Sequence, residues 1–191
     1  KFLEGAAKKG VDNRKAKEIF DLMEKFAEYG FNKSHSAAYA LISYYTAYLK
    51  AHFPAEFMAA LMTSELGNQD KLLKYVTSCR DMNIEVRPPD VNLADREFIV
   101  TGDKIVFGLG GIKNVGDEAI RELTAQRNED GPFKSLLDLC ERVSMRKMTK
   151  RVLESLIKGG AVDCMGCSRA ALLAALDETS AKAQRRAKTR D

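Results

Sequence analysis

The chain has 191 residues, 45% of them hydrophobic and 30% charged, with a formal net charge of +4. That is room for one large domain or two small ones, with enough apolar content for a buried core and too much of it for a disordered tail. The longest apolar stretch, Ala37–Leu49, is broken by Ser43 and Thr46 and falls short of the roughly twenty residues a bilayer demands, so no membrane partner is expected.

Helical periodicity dominates the first eighty residues. Asp12 is a candidate N-cap, and Ala16, Ile19, Phe20, Met23, Phe26 and Ala27 recur behind it at three- and four-residue steps up to a stop at Gly30. A second helix is predicted from about Ser36 to Ala51. It is apolar or aromatic nearly all round (Tyr39, Leu41, Ile42, Tyr44, Tyr45, Tyr48, Leu49), which predicts a central helix covered on most sides. Pro54 opens a third helix through Leu66, ended by Gly67, and Asn68 caps a fourth with Leu72, Leu73, Val76 and Cys79 on one face. Residues 1–82 are therefore expected to form a compact helical bundle. At Ile84 the character changes. Pro88-Pro89 stops any helix, and the runs 98–100 and 105–107, joined by Thr101-Gly102-Asp103-Lys104, predict a short β-hairpin in a connector spanning 83–107. Helices return at about 116–128, 135–143, 149–158 and 168–178, with Ser135, Thr149 and Ser168 as caps. Residues 179–191 hold only Ala and polar or charged residues, including five bases against Asp191, and are expected to be a disordered basic tail. The fold class is mainly α.

That tail accounts for the whole net charge, so a basic pI alone does not argue for nucleic acid. Local pattern carries the argument instead. Gly108–Leu123 reads GLGGIKNVGDEAIREL, in which glycines crowd a turn ahead of a helix that starts near Gly116. Such a turn presents backbone N–H groups and the positive end of a helix dipole, which suits phosphate. The spacing matches neither a dinucleotide fingerprint nor a P-loop. It fits a helix-hairpin-helix through Ile112, Val115, Gly116, Ala119 and Ile120, or an ordinary glycine turn between packed helices. A second unit, Thr149–Asp163, reads TKRVLESLIKGGAVD, followed by a helix beginning at Ser168-Arg169. Around it, residues 141–158 carry Arg142, Arg146, Lys147, Lys150, Arg151 and Lys158 against Glu141 and Glu154, a local surplus of four positive charges. A solvated basic face is the bland alternative. Two paired hairpins flanked by bases make sequence-independent duplex binding the better reading.

Elsewhere the signals are weaker. Lys33, Ser34 and His35 gather at a helix start in a way that suits a polyphosphate, although from the residues alone Ser34 or Ser36 simply caps the helix. Cys164-Met165-Gly166-Cys167 is half a zinc site with no second half nearby, and it lacks the βαβ setting of a redox pair, so no metal site is expected. No carboxylate constellation or Ser/His/Asp set for catalysis stands out. Four cysteines in a Lys- and Glu-rich chain with no export leader predict a reduced, cytoplasmic setting. A first residue that is Lys rather than Met suggests part of a longer protein.

Several runs closely resemble family C, the bacterial replicative DNA polymerases: Tyr29–Glu65, Arg87–Phe98, Phe107–Ile120, Gly131–Val143 and Lys150–Asp163. The resemblance covers nearly all of residues 1–178 in the family's order. It implies that residues 1–82 belong to a fingers domain closing over the incoming dNTP, and that 108–178 form a tandem helix-hairpin-helix module on double-stranded primer-template DNA. It assigns phosphate contacts of the nucleotide to Lys33, Ser34 and His35, with Tyr39 beside them. On the DNA side it matches Lys113, Asn114, Val115 and Gly116 to the first turn and Gly159, Gly160 and Ala161 to the second, which puts Lys150, Arg151, Ser168 and Arg169 nearby among the expected contacts. The usual first glycine of the turn is Asn114 here. The resemblance also implies magnesium held by aspartates that this sequence does not contain, so no catalytic residue and no polymerisation by the chain alone. It further implies a sliding clamp and other replicase subunits as partners of the whole protein. A stand-alone repair or recombination accessory using the same hairpins is the alternative.

Overall fold

The computed structural model describes residues 1–29 and 33–190, and the side chains of residues 1–27 and 34–186. The chain divides into two compact units, Lys1–Tyr48 and Leu49–Asp191.

The first unit is sparse. Helix α1 (Phe2–Lys8) turns back onto α2 (Asn13–Tyr29), with the rings of Phe2 and Phe20 5.7 Å apart. The Asp12 carboxylate accepts from the Lys15 amide at 3.2 Å and starts α2. The stop expected at Gly30 lies outside the described residues. Helix α3 (Lys33–His52) begins in this unit and runs on past its end. Among the described residues of the unit only Ala16 is buried, whereas Phe26, Tyr39, Ile42 and Tyr44 are all more than half exposed. The helices form as expected, but the expectation that α3 is covered on most sides is corrected: its apolar and aromatic side chains stay exposed. The two other helices of the unit supply too little apolar surface to wrap one that is apolar on every side.

The second unit is dense. Helices α4 (Pro54–Ser64) and α5 (Gln69–Asp81) lead into a three-stranded sheet ordered β1 (Val86–Arg87), β3 (Lys104–Val106), β2 (Ile99–Thr101). Pro54 sits at the start of α4, and the Asn68 side chain accepts from the Lys71 amide to cap α5. β2 and β3 form the predicted hairpin, with Thr101 opposite Lys104, and β1 pairs in parallel with β3. Successive residues of a strand face opposite ways, so β3 partitions the unit. Ile105 joins Met58, Met62, Leu72, Cys79 and Phe98 in one core. Val106 joins Leu109, Leu123, Leu139, Met148, Leu153 and Leu156 in the other. The boundaries expected at 82/83 and 107/108 thus fall inside one unit, because α4 and α5 bury their faces against the strands.

Beyond the sheet come a 3-10 turn at Leu109–Gly111 and helices α6 (Asp117–Asp130), α7 (Leu136–Arg142), α8 (Lys150–Lys158) and α9 (Arg169–Arg190). Ser135 and Thr149 cap α7 and α8, and Ser168 accepts from the Ala171 amide at 3.2 Å. The basic tail is not a disordered segment: α9 continues through it. Ala, Lys, Arg and Gln are strong helix formers, Ala183 is buried, and Arg186 pairs with Glu141 on α7 at 2.6 Å. No helix among the described residues is long and apolar enough to cross a membrane.

Candidate nucleic-acid interface

The first hairpin turn spans Ile112–Gly116. Its inner edge is fixed by packing: Val115 is buried and its amide donates to the Ile112 carbonyl at 3.2 Å. Val115, expected among the DNA contacts, instead anchors the turn in the core. The outer edge is open. Lys113, Asn114 and Gly116 are exposed, α6 has no side-chain cap, and a β carbon at Gly116 would meet nothing within 4 Å. The amides of Gly116 and Asp117 donate to no group among the described residues, as expected of a helix's first turn left for an outside acceptor. Asp117 and Glu118 carry negative charge at this end, and the Arg96 guanidinium lies 2.8 Å from the Asp117 carboxylate and offsets it. Lys113 makes no ion pair among the described residues.

The second turn has the same sequence logic and the opposite exposure. Gly160 is buried at φ +83°, a conformation that residues with a β carbon rarely adopt. A β carbon there would collide with Nη2 of Arg169. The amides of Gly159, Gly160 and Ala161 donate to the carbonyls of Ser155, Ile157 and Leu156. Aiming main-chain amides outward, expected of both bends, is thus a property of the first alone. Arg169 binds the Asp163 carboxylate, with Nη2–Oδ2 2.6 Å and Nε–Oδ1 2.9 Å, and donates to the Lys158 carbonyl at 3.2 Å. Its guanidinium holds the Asp163 carboxyl below the usual carboxylate range. Arg169 therefore clamps the turn from within. Asp163 was missed in the sequence, where it reads as one more surface acid.

The basic surplus of residues 141–158 is largely internal as well. Lys150 pairs with Asp177 on α9 at 2.5 Å, Lys147 with Glu122 at 2.9 Å and Lys158 with Glu154 at 3.4 Å. Arg142 stacks over the Phe133 ring and donates to the carbonyls of Gln126 and Gly131. Arg151 donates to Asn114. Of the six, only Arg146 has neither an ion pair nor a side-chain hydrogen bond among the described residues. The two hairpins meet across a groove of about 480 Å³ lined by Ile112, Lys113, Asn114, Ser155, Lys158 and Gly159.

In the first unit, the side chain of Lys33 lies outside the described residues. Ser34 and His35 occupy the first turn of α3, and the His35 ring lies 4.3 Å from that of Tyr39 one turn on, so these two are brought together. Cys164 receives a long contact from Asn92 at 3.6 Å. Burial and the nearby Asp90 carboxylate push its thiol up to about 12, which keeps it protonated at neutral pH. No three His, Cys, Asp or Glu side chains among the described residues are grouped to hold a metal.

Comparison with known proteins agrees with the geometry. Residues 83–172 match the helix-hairpin-helix motif family. The chain is 52% identical over 188 residues to the DNA polymerase III subunit alpha of Haemophilus influenzae, covering 98% of this chain and 16% of that protein. It is 55% identical over 177 residues to the same subunit of Neisseria meningitidis serogroup B (92% and 16%), and 50% identical over 188 residues to that of Escherichia coli (98% and 16%). The chain thus spans about one sixth of the length of these relatives.

Proposed function

This chain is a relative of one segment of the bacterial DNA polymerase III alpha subunit, and from that kinship we propose that it is the part of a DNA-directed DNA polymerase that grips duplex primer-template DNA without reading its sequence. The observation that carries the proposal is the open first turn, with its exposed glycine and its unpartnered amides at the start of α6. A phosphate oxygen accepts from such amides and lies in the favourable end of the helix dipole, while Lys113 adds a mobile cation beside it. Arg96 keeps Asp117 from repelling the incoming charge. Contacts of this kind neutralise phosphates and carry no base information.

The first amides of α9, held in place by the Arg169–Asp163 clamp, give the second hairpin its contribution. At the start of α3, Lys33, Ser34 and His35 contact the phosphates of an incoming nucleotide, with Tyr39 supporting the His35 ring. Nucleotide addition, with its magnesium and carboxylates, belongs to other parts of the polymerase, as do the sliding clamp and the other replicase subunits. The chain alone adds no nucleotides.

Titrating the chain with mixed-sequence duplex at several salt concentrations tests the main reading. Log affinity is expected to fall linearly with log salt, with no preference among sequences. Equal affinity at low and high salt overturns it. For α3, Lys33→Ala in the intact polymerase is expected to raise the KM for nucleotide in primer extension, and an unchanged KM removes that assignment.

A further inference from the structure

Asn114 has φ +66°, in the left-handed region that glycine enters freely and asparagine more readily than most other residues. Glycine would satisfy the backbone equally well, so the side chain needs its own account. Its Oδ1 accepts from Nη2 of Arg151 at 2.8 Å, and its Nδ2 donates to Oγ of Ser155 at 3.4 Å. Arg151 and Ser155 are four residues apart on α8 and share one face of it. One carboxamide therefore uses both its acceptor and its donor on a single strip of the second hairpin. Beside it Ile112 packs on Gly159, where an added β carbon would come within 3.3 Å of the Ile112 Cγ2.

We propose that Asn114, Arg151 and Ser155 form a bridge that sets the spacing of the two hairpins, and that Arg151 is a positioning residue acting through Asn114 rather than a phosphate ligand. The proposal rests on the duplex-binding reading above and deepens it. Phosphates on a duplex lie at fixed separations, so donors on two hairpins act together only if the hairpins cannot rock. Core residues beneath the turns fix their bases. The planar carboxamide, held at both ends, fixes the exposed corner itself.

A double-mutant cycle tests this on the 191-residue chain. Asn114→Gly keeps the backbone conformation and deletes the bridge, and Arg151→Met keeps the aliphatic stem and removes the donors. Each is expected to weaken mixed-sequence duplex binding about 3–10-fold, with the double variant no weaker than the worse single. The slope of log affinity against log salt stays unchanged in all three, whereas Lys113→Ala lowers it by about one. If Arg151→Met lowers the slope by about one, or if the two losses multiply, Arg151 is a phosphate ligand and the proposal fails. Thermal unfolding of the same proteins is the second readout. A parent chain without salt-dependent affinity for duplex removes the duplex reading, and the melts still judge the bridge: coupled losses support it, additive losses overturn it. If Arg151→Met does not fold, Arg151→Gln is judged by the salt slope in its place, and Ser155→Ala with Asn114→Gly is judged by the coupling of their losses.

Discussion

The two hairpin turns differ most where their sequences look most alike. Each has a glycine corner beside a helix, Gly116 at the start of α6 and Gly160 just past the end of α8. At Gly116 the corner is exposed, uncapped and empty to 4 Å, whereas at Gly160 it is buried, its amides are satisfied within the turn, and an arginine fills the space a side chain would need. Glycine thus serves two purposes: at the first corner its lack of a β carbon lets another molecule approach, and at the second it lets the protein approach itself. The first glycine corner offers donors, and the second acts as a strut beneath the start of α9.

The comparison can be broken most sharply at the strut. Gly160→Val combines a strained φ with a collision against Arg169 and is expected to destabilise the chain by ~3 kcal/mol in urea unfolding. Unchanged stability would mean the second corner is as open as the first. Gly116→Val should do the reverse. Its backbone is already extended, so stability changes by less than about 0.5 kcal/mol. Duplex affinity in an anisotropy titration is expected to drop about 10-fold, as for the loss of a hydrogen bond to a charged group. Lys113→Ala should cost only a few-fold in affinity near physiological salt and lower the salt slope by about one, with no change in melting. The smallest effect is expected at Asp163. Because Arg169 lowers the carboxyl's pKa in the folded chain, the pair's stabilisation is complete above the ordinary aspartate range, near pH 4, and is lost as pH falls through the lowered value. Asp163→Asn should be slightly less stable than the parent at pH 7 and should converge with it in acid, as read from urea midpoints at both pH values.

Local chemistry was legible in the sequence. The caps at Asn68, Ser135, Thr149 and Ser168, proline at the start of α4, and a hairpin turning within Thr101–Lys104 all follow from short-range rules, and the structure has each of them, with Thr101 and Lys104 themselves paired. Pairing at a distance was not. β1 is two residues long and finds β3 only after the chain has returned from the hairpin, so no period announces its parallel register. Counting bases located the basic segment correctly but could not show that Lys150, Arg151 and Arg169 are tied to Asp177, Asn114 and Asp163, since the partners lie on other elements. The apolar circumference of α3 identified a helix and said nothing of whether anything in this chain would cover it. For residues 179–190, a composition without large apolar side chains read as a frayed end. Ala183 on the inward side and the Arg186–Glu141 ion pair tie this stretch to α7 and the core, and neither is announced by local composition.

That last helix has a consequence for how the protein is made. Leu172, Leu176 and Ala183 of α9 complete the core that also holds α7 and α8, so the hairpin pair is finished by an element that follows both of them in the chain. During synthesis from the amino end, the faces of α7 and α8 that receive α9 stay uncovered until it leaves the ribosome, and the module becomes rigid when α9 docks.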